Sequence, residues 1–360
     1  MNAPTHFLED IIRQRTEMPR TIDQLRGPGQ ERLEQAASLL RAARDVFITG
    51  IGASWNAAQC AGSLFCQAAR PVFIQEAGDL VHLAAIPRGS VIVAISRTGR
   101  SIEIVQLLAK ADASGATVIG ITNSADSPLA RKSTLAIVVP ARLDHAVSVN
   151  AYSSLLLAAG ALASSVTADF RSVASFLSNT VAQAGQCLEL WQEQLEDSAW
   201  LAVDAAYYFL ARGSSLGSCH QAQLMWEEAV KMPATAMRTS GFRHGPQEIV
   251  KQGMRFCLWI DQDQMREQDL AMAHDLNELG ASVMLIGEKL PENAGDLVCQ
   301  LPTSPPRWQF AVDVLPIQLA AELLARLSGV DCDSFRICSY VVEDDHGLLR
   351  KKAEVAPSAD

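Results

Sequence analysis

The sequence predicts an α/β chain: two similar domains in tandem, each a parallel sheet flanked by helices. Three observations carry this expectation. Short, continuously apolar stretches alternate with stretches of helical composition, the pattern of strands buried on both faces of a parallel sheet. Several of those strands run straight into turns rich in glycine and serine. The pattern then restarts midway, with Gly213 and Ser215 following Gly52 and Ser54 at one and the same interval. A length of 360 residues suits two ordinary domains. A hydrophobic content of 49% can fill both cores.

Residues 5–43 read as helices, broken near Gly27-Pro28-Gly29. "DVFITGIGAS" (Asp45 to Ser54) is a strand ending in a glycine turn, and "WNAAQCAGSLFCQAA" after it is helical. "PVFIQ" follows, then the strand "SVIVAIS" (Ser90 to Ser96), a helix from about Ser101, the strand "ATVIGIT" (Ala116 to Thr122), and "TLAIVVP". A long helical stretch from about Val149 to Ala199 links the halves. "YYFLARGSS" (Tyr207 to Ser215) then repeats "VFITGIGAS", "MRFCLWI" repeats "SVIVAIS", and "ASVMLIG" repeats "ATVIGIT". A closing helix spans about Gln309 to Leu327. The expected organisation is N-terminal helices over 1–44, a first domain with linking helices over 45–195, a second domain over 196–345, and a loose polar tail over 346–360.

The formal net charge is −10 and no basic run is present, which argues against nucleic acid as a partner. An acidic chain that binds an anion must do so locally, through backbone N–H groups and hydroxyls. The eight cysteines form no C-x-x-C pair and read as buried reduced thiols; no zinc pattern is present, so no metal is expected. "MNAPTHFLED" has neither the basic nor the apolar region of a signal peptide, and no run of 18 apolar residues exists. The expectation is a soluble, cytoplasmic protein with no membrane contact.

In doubly wound sheets ligands sit beyond the carboxyl ends of the strands. Two hydroxyl-bearing loops fall there in the first half: Gly50-Ile51-Gly52-Ala53-Ser54, and Ser96-Arg97-Thr98-Gly99-Arg100-Ser101. The second enters a helix, whose free N–H groups and positive dipole end hold phosphate. Ser101 is equally readable as a plain helix cap supported by Glu103. The coincidence of two such loops favours phosphate. "GIGASW" is only a partial dinucleotide fingerprint, and no nucleoside-triphosphate P-loop is present. In the second half, "HQAQLMWEEAVKM" is helical and carries Glu227 and Glu228. Neighbours on a helix diverge by about 100°, so only one faces the top of the sheet. Both acids are then solvated, or one is a base beside a bound sugar. "GFRHGPQEIV" places His244 before a Gly-Pro pair, at what reads as a helix start.

"GIGASW", "ISRTGRS", "VSVNAYSS", "EEAVKM" and "GFRHGP" together resemble the sugar isomerase (SIS) domain family. The doubled arrangement is similar to the isomerase half of glucosamine-6-phosphate synthase and to stand-alone amino-sugar-6-phosphate deaminase/isomerases and fructosamine-6-phosphate deglycases. "GFRHGP" most resembles the galactosamine-6-phosphate deaminase/isomerase branch. The resemblance implies two tandem SIS domains of flavodoxin-like, three-layer αβα form. It implies that Ser96, Arg97, Thr98 and Ser101 form a phosphate loop, with Gly52, Ser54, Ser148 and Asn150 also binding substrate and Tyr340 as a further lining residue. Glu228 falls on the family's base, which moves a proton between C1 and C2. His244 falls on its ring-opening histidine, which reaches the partner's site in a homodimer. An imidazole of pKa near 6.5 can pass protons both ways at neutral pH. A base at Glu228 needs a raised pKa, which partial burial supplies. No cofactor is required, and the partner implied is a sugar 6-phosphate.

The chain departs from the synthase at three lysine positions, which become Asn150, Met225 and Tyr340, and at a carboxylate position that becomes Leu143. The C-terminal motif reads Asp331-Cys332-Asp333-Ser334-Phe335-Arg336. No N-terminal nucleophilic cysteine of a glutaminase is present. Three readings follow: an amino-sugar-6-phosphate deaminase/isomerase yielding a ketose 6-phosphate and ammonia; a deglycase or simple aldose–ketose phosphate isomerase; and a non-catalytic sugar-phosphate sensor.

Overall fold

The computed structural model describes residues 4–168, 170–345 and 347–348; the loose tail expected after residue 345 lies almost wholly outside the described residues. Two helices come first, α1 (His6–Arg26) and α2 (Gln30–Ala42), parted at the expected Gly-Pro-Gly break. Thr5 starts α1 by accepting a hydrogen bond from the Leu8 N–H at 3.0 Å.

The first sheet holds β1 (Val46–Thr49), β2 (Phe73–Ile74), β3 (Val91–Ser96), β4 (Thr117–Thr122) and β5 (Leu135–Val138), all parallel, in the order β2-β1-β3-β4-β5. Between them run α3 (Ala53–Gln67), α4 (Ala77–His82), α5 (Ile102–Ser114) and α6 (Pro128–Lys132). Three helices follow: α7 (Asn150–Thr167), α8 (Phe170–Gln186) and α9 (Leu188–Asp197). The second sheet holds β6 (Tyr207–Ala211), β7 (Ala234–Arg238), β8 (Arg255–Trp259), β9 (Ser282–Glu288) and β10 (Leu297–Leu301), with α10 (Leu216–Met225), α11 (Thr239–Phe242), α12 (Arg266–Glu278) and α13 (Leu315–Leu327). Its order, β10-β9-β8-β6-β7, is that of the first sheet read from the far edge, and every pairing is parallel. Both sheets therefore have the flavodoxin-like order, and both domains have the expected α/β architecture.

The repeat extends to the backbone. Gly52 after β1 has φ +56° and Gly213 after β6 has φ +57°, a left-handed turn that favours glycine in both halves. The equivalent helices α3 and α10 pack on each other, so closely that a Cβ on Gly217 would stand 2.2 Å from the Asn56 carbonyl oxygen and 2.4 Å from Cys60 Sγ. Asn56 donates to Gln221 Oε1 across this contact at 3.0 Å, in a buried setting. One apolar core runs from α1 and α7 through this junction to α13. Helix α7 is buried almost all round from Asn150 to Ser165, which explains its uniformly apolar and small-residue composition. Among the described residues no helix is long and apolar enough to cross a membrane.

Local departures from the expected elements have identifiable causes. The closing helix begins at Leu315 rather than Gln309, because Pro316 fits the first turn, where its missing N–H is not needed. Gln309–Ala311 forms a separate 3-10 turn. The helix carrying Glu227 and Glu228 does not continue as α-helix: Trp226–Val230 is a π-turn, ended by Lys231 at φ +59°. The helix start expected at His244 is a short 3-10 turn, Pro246–Ile249. Five of the eight free cysteines are buried, but Cys66 and Cys338 are exposed.

Candidate active site

A cavity of about 210 Å³ lies at the C-terminal ends of β1 and β3. Each wall has a local cause. After β1 the chain turns at Gly50 and Gly52 into α3. A Cβ on Gly50 would meet the Ser54 backbone at 2.7 Å, so the turn admits no side chain there. This tight turn sets Gly52 and Ser54 on the cavity wall, with Ser54 only 7% exposed.

The loop after β3 braces itself. Ser96 Oγ accepts from the Gly99 N–H at 3.0 Å, and Thr98 Oγ1 accepts from the Arg100 N–H at 3.3 Å. Gly99 has φ +60° and packs where a Cβ would stand 2.5 Å from Ser127 Oγ. Ser101 occupies the N-cap position of α5 yet its side chain makes no capping bond. Its hydroxyl is left for another partner on the cavity wall.

The opposite wall is a strap from the C-terminal segment, including Phe335 and residues 338–342. It is tied to the loop at two points. The Arg97 guanidinium donates to the Tyr340 carbonyl at 2.8 Å and lies 3.9 Å from the centre of the Tyr340 ring. The Ile102 N–H, at the start of α5, donates to the Val342 carbonyl at 3.0 Å. Sequence reasoning named Tyr340 here as a lining residue, and Phe335 only as part of the C-terminal motif. The strap has no helix or strand period that would mark it.

Glu228 faces the cavity from the π-turn, at the junction with the strap. Burial pushes its pKa up to about 7, against the opposing pull of Arg97 and Lys231 and with a smaller upward push from Glu227. Glu227 is exposed and accepts from Gln223 Nε2 at 3.0 Å. The Lys231 ammonium is engaged by the Glu228 and Ser334 carbonyls.

The structure thus brings Gly52, Ser54, Ser96, Arg97, Thr98, Ser101, Ser148, Glu228 and Tyr340 to one cavity. It does not bring Asn150 or His244 there. Asn150 is buried, and its Nδ2 donates to the Asp10 carbonyl and to Asp144 Oδ1, both at 2.9 Å. The reason is that Asp144 caps α7, taking the Val149, Asn150 and Ala151 N–H groups at 2.9 to 3.0 Å, and Asn150 is drawn into that cap. His244 is exposed, after α11 and before Gly245 at φ +129°. Met225 is fully buried in the core. Among the described residues, Arg97 is the one Lys or Arg lining the cavity, and no group of three or more His, Cys, Asp or Glu is placed to hold a metal ion.

Residues 39–165 match the model of the SIS domain family. A glutamine–fructose-6-phosphate aminotransferase (isomerizing) from Pyrobaculum aerophilum is 22% identical over 347 residues, covering 92% of this chain and 56% of the relative. The chain spans about half the length of the curated relatives it matches. Among solved structures, glucosamine-6-phosphate deaminase from Thermotoga maritima superimposes with a TM-score of 0.78 at 22% identity, covering 94% of this chain and 99% of that one. Tagatose-6-phosphate ketose/aldose isomerase from Escherichia coli gives 0.79 at 18% identity, covering 92% and 95%. The chain carries a SIS domain, and its two sheets match the tandem SIS arrangement. It is homologous to the isomerase (C-terminal) half of the glutamine–fructose-6-phosphate aminotransferases.

Proposed function

We propose that this chain is a phosphosugar isomerase that converts an amino-sugar 6-phosphate to a ketose 6-phosphate with release of ammonia. The observation that carries the reading is Glu228: a carboxyl held near pKa 7 by burial, on the wall of the same cavity as the Ser96–Ser101 loop. A group so poised can take a proton and return it at neutral pH. The loop's hydroxyls and the positive end of α5 bind the phosphate, with loop N–H groups turning to it from their internal partners. The open-chain amino aldose then presents C2 to Glu228. The carboxylate takes the C2 proton, leaving an enolamine, and the Glu228 carboxyl, whose proton exchanges with solvent in the meantime, protonates C1. The product is a ketose-level imine at C2. Water adds there and ammonia leaves, giving the ketose 6-phosphate.

His244 opens the sugar ring in this reading, as the partner subunit's contribution in a homodimer. Its exposure within one chain is consistent with that role. A second reading, a sugar-phosphate binder without catalysis, is favoured by one observation. Among the described residues no lysine lines the cavity: Asn150 is tied into the α7 cap, Met225 is in the core, and Lys231 is held by backbone carbonyls.

A panel of hexose and amino-sugar 6-phosphates, scored for ketose and for ammonia, tests the reading. Stoichiometric ketose and ammonia from one amino sugar supports it. Ketose without ammonia from a plain aldose phosphate makes the chain an aldose–ketose isomerase. Saturable binding with neither product overturns the enzyme reading.

A further inference from the structure

A second and larger cavity, of about 590 Å³, lies at the C-terminal ends of β6 and β8. It occupies in the second sheet the place that the candidate active site occupies in the first, the switch point where ligands of doubly wound sheets bind. Its volume is in the range of small-molecule sites. The turn after β6 builds one wall, with Gly213 at a positive φ like that of Gly52. Ser214 on that wall is only 8% exposed, and among the described residues its hydroxyl has no hydrogen-bond partner. Gln309, also buried and on the wall, spends its Nε2 on the Ile260 carbonyl at 3.1 Å and leaves Oε1 without a partner. Arg307 lines the cavity at φ +71°, an unusual backbone state for a non-glycine residue.

Glu103 and Glu228 line the first cavity beside Arg97, so carboxylates stand on both walls; what differs is the loop at the switch point. The loop after β3 carries Arg97, Arg100 and three hydroxyls; the loop after β8 carries Asp261 and Asp263. Arg212 is neutralised by Asp269, at 2.7 and 2.8 Å. That leaves Arg307, which donates to the Gln67 carbonyl at 3.4 Å, on one wall with Asp261, Asp263 and Glu288. Glu288 is already engaged by Ser304, through its N–H at 3.0 Å and its hydroxyl at 2.6 Å, and by Gln262 at 2.6 Å. Asp261 Oδ2 accepts from the Met265 N–H at 3.0 Å, while the exposed Asp263 carboxylate accepts no such bond from the described residues. A switch-point loop that carries two aspartates in place of arginines and hydroxyls disfavours phosphate, and the open acceptors suit hydroxyl and ammonium donors.

We propose that the second cavity is a separate ligand site, for an unphosphorylated, hydroxyl-rich small molecule that carries an amine. The repeat has kept the crevice and exchanged its chemistry, from a site for the anionic group to a site for donors. Gln67, at the end of α3, reaches the same cavity, so an occupant touches both halves of the chain.

Equilibrium dialysis of the full chain with radiolabelled glucosamine tests this, with glucose and glucose 6-phosphate as competitors. The expected result is saturable binding of one glucosamine per chain, with glucose competing weakly and glucose 6-phosphate more weakly still. Ser214→Ala and the exposed Asp263→Asn should each weaken binding by about tenfold, with thermal unfolding unchanged in the Asp263 variant. The double variant Ser96→Ala/Thr98→Val should leave it intact, so this proposal and the proposed function fail separately. Absence of saturable binding overturns the proposal. So does equal competition by glucose 6-phosphate, or loss of binding in the Ser96/Thr98 variant, which would place the ligand in the first cavity.

Discussion

Glu227 and Glu228 are neighbours in the chain and differ in everything that matters for proton transfer. One is exposed; the other is partly buried, and that desolvation brings its pKa to about 7. If Glu228 is the base, Glu228→Gln should lower kcat by about 10²–10⁴ while Glu227→Gln changes it little. Steady-state ammonia release checks both. The wild-type kcat/KM should rise with pH and level off above about 7, as Glu228 loses its proton. The same shift has a stability sign. The folded pKa lies above the ordinary 4.5, so the folded chain holds the extra proton between about 4.5 and 7. Its contribution to stability is full below that window and is lost as pH rises through it. Glu228→Gln should therefore gain on wild type in urea unfolding at pH 8 and not at pH 4. That only one of the two acids faces the site was legible from the helical offset; which one came from the family resemblance alone. The fate of Asn150 was not, because nothing in the spacing says that Asp144 will cap α7 and hold Asn150 in the cap.

At the scale of elements, the loop after β3 and the strap compete for one helix end. The Val342 carbonyl takes the Ile102 N–H, and Tyr340 holds Arg97. Ser96→Ala with Thr98→Val removes two hydroxyls that brace or face the site, and each bond to a charged group is worth about 1.5–3 kcal/mol. Sugar-phosphate affinity should fall by at least about tenfold in calorimetric titration, and unchanged affinity would put the phosphate elsewhere. The strands and both hydroxyl loops were legible because buried parallel strands are continuous apolar runs and their ends are marked by glycine. The strap was not, since an aperiodic segment is placed by contacts made far away in the chain. The π-turn was hidden for a related reason: it arises where α10 meets the strap, and its sequence reads as ordinary helix.

At the scale of the molecule, the internal repeat was legible from the matched interval of Gly52/Ser54 and Gly213/Ser215, and the two sheets have one topology. The close approach of α3 and α10 at Gly217 was not. Gly217→Ala should destabilise the chain by about 1–3 kcal/mol in denaturant unfolding, because a Cβ there overlaps Asn56 and Cys60. The position of His244 away from the cavity bears on assembly. Mixing inactive His244→Ala with inactive Glu228→Gln under subunit exchange should restore activity in part, since some mixed dimers carry one intact site. No recovery despite proven exchange would mean that each site is built within one chain. The central claim is that Glu228 moves the C2 proton of an amino-sugar 6-phosphate bound by the Ser96–Ser101 loop. Its most direct test is proton exchange at C2 in deuterium oxide, followed by NMR with wild type and with Glu228→Gln. The account predicts deuterium at C2 or C1 together with ammonia release in the wild type, and neither in Glu228→Gln, which still binds the substrate. Exchange that survives in Glu228→Gln, or a wild type that binds the sugar phosphate and exchanges nothing, would contradict it.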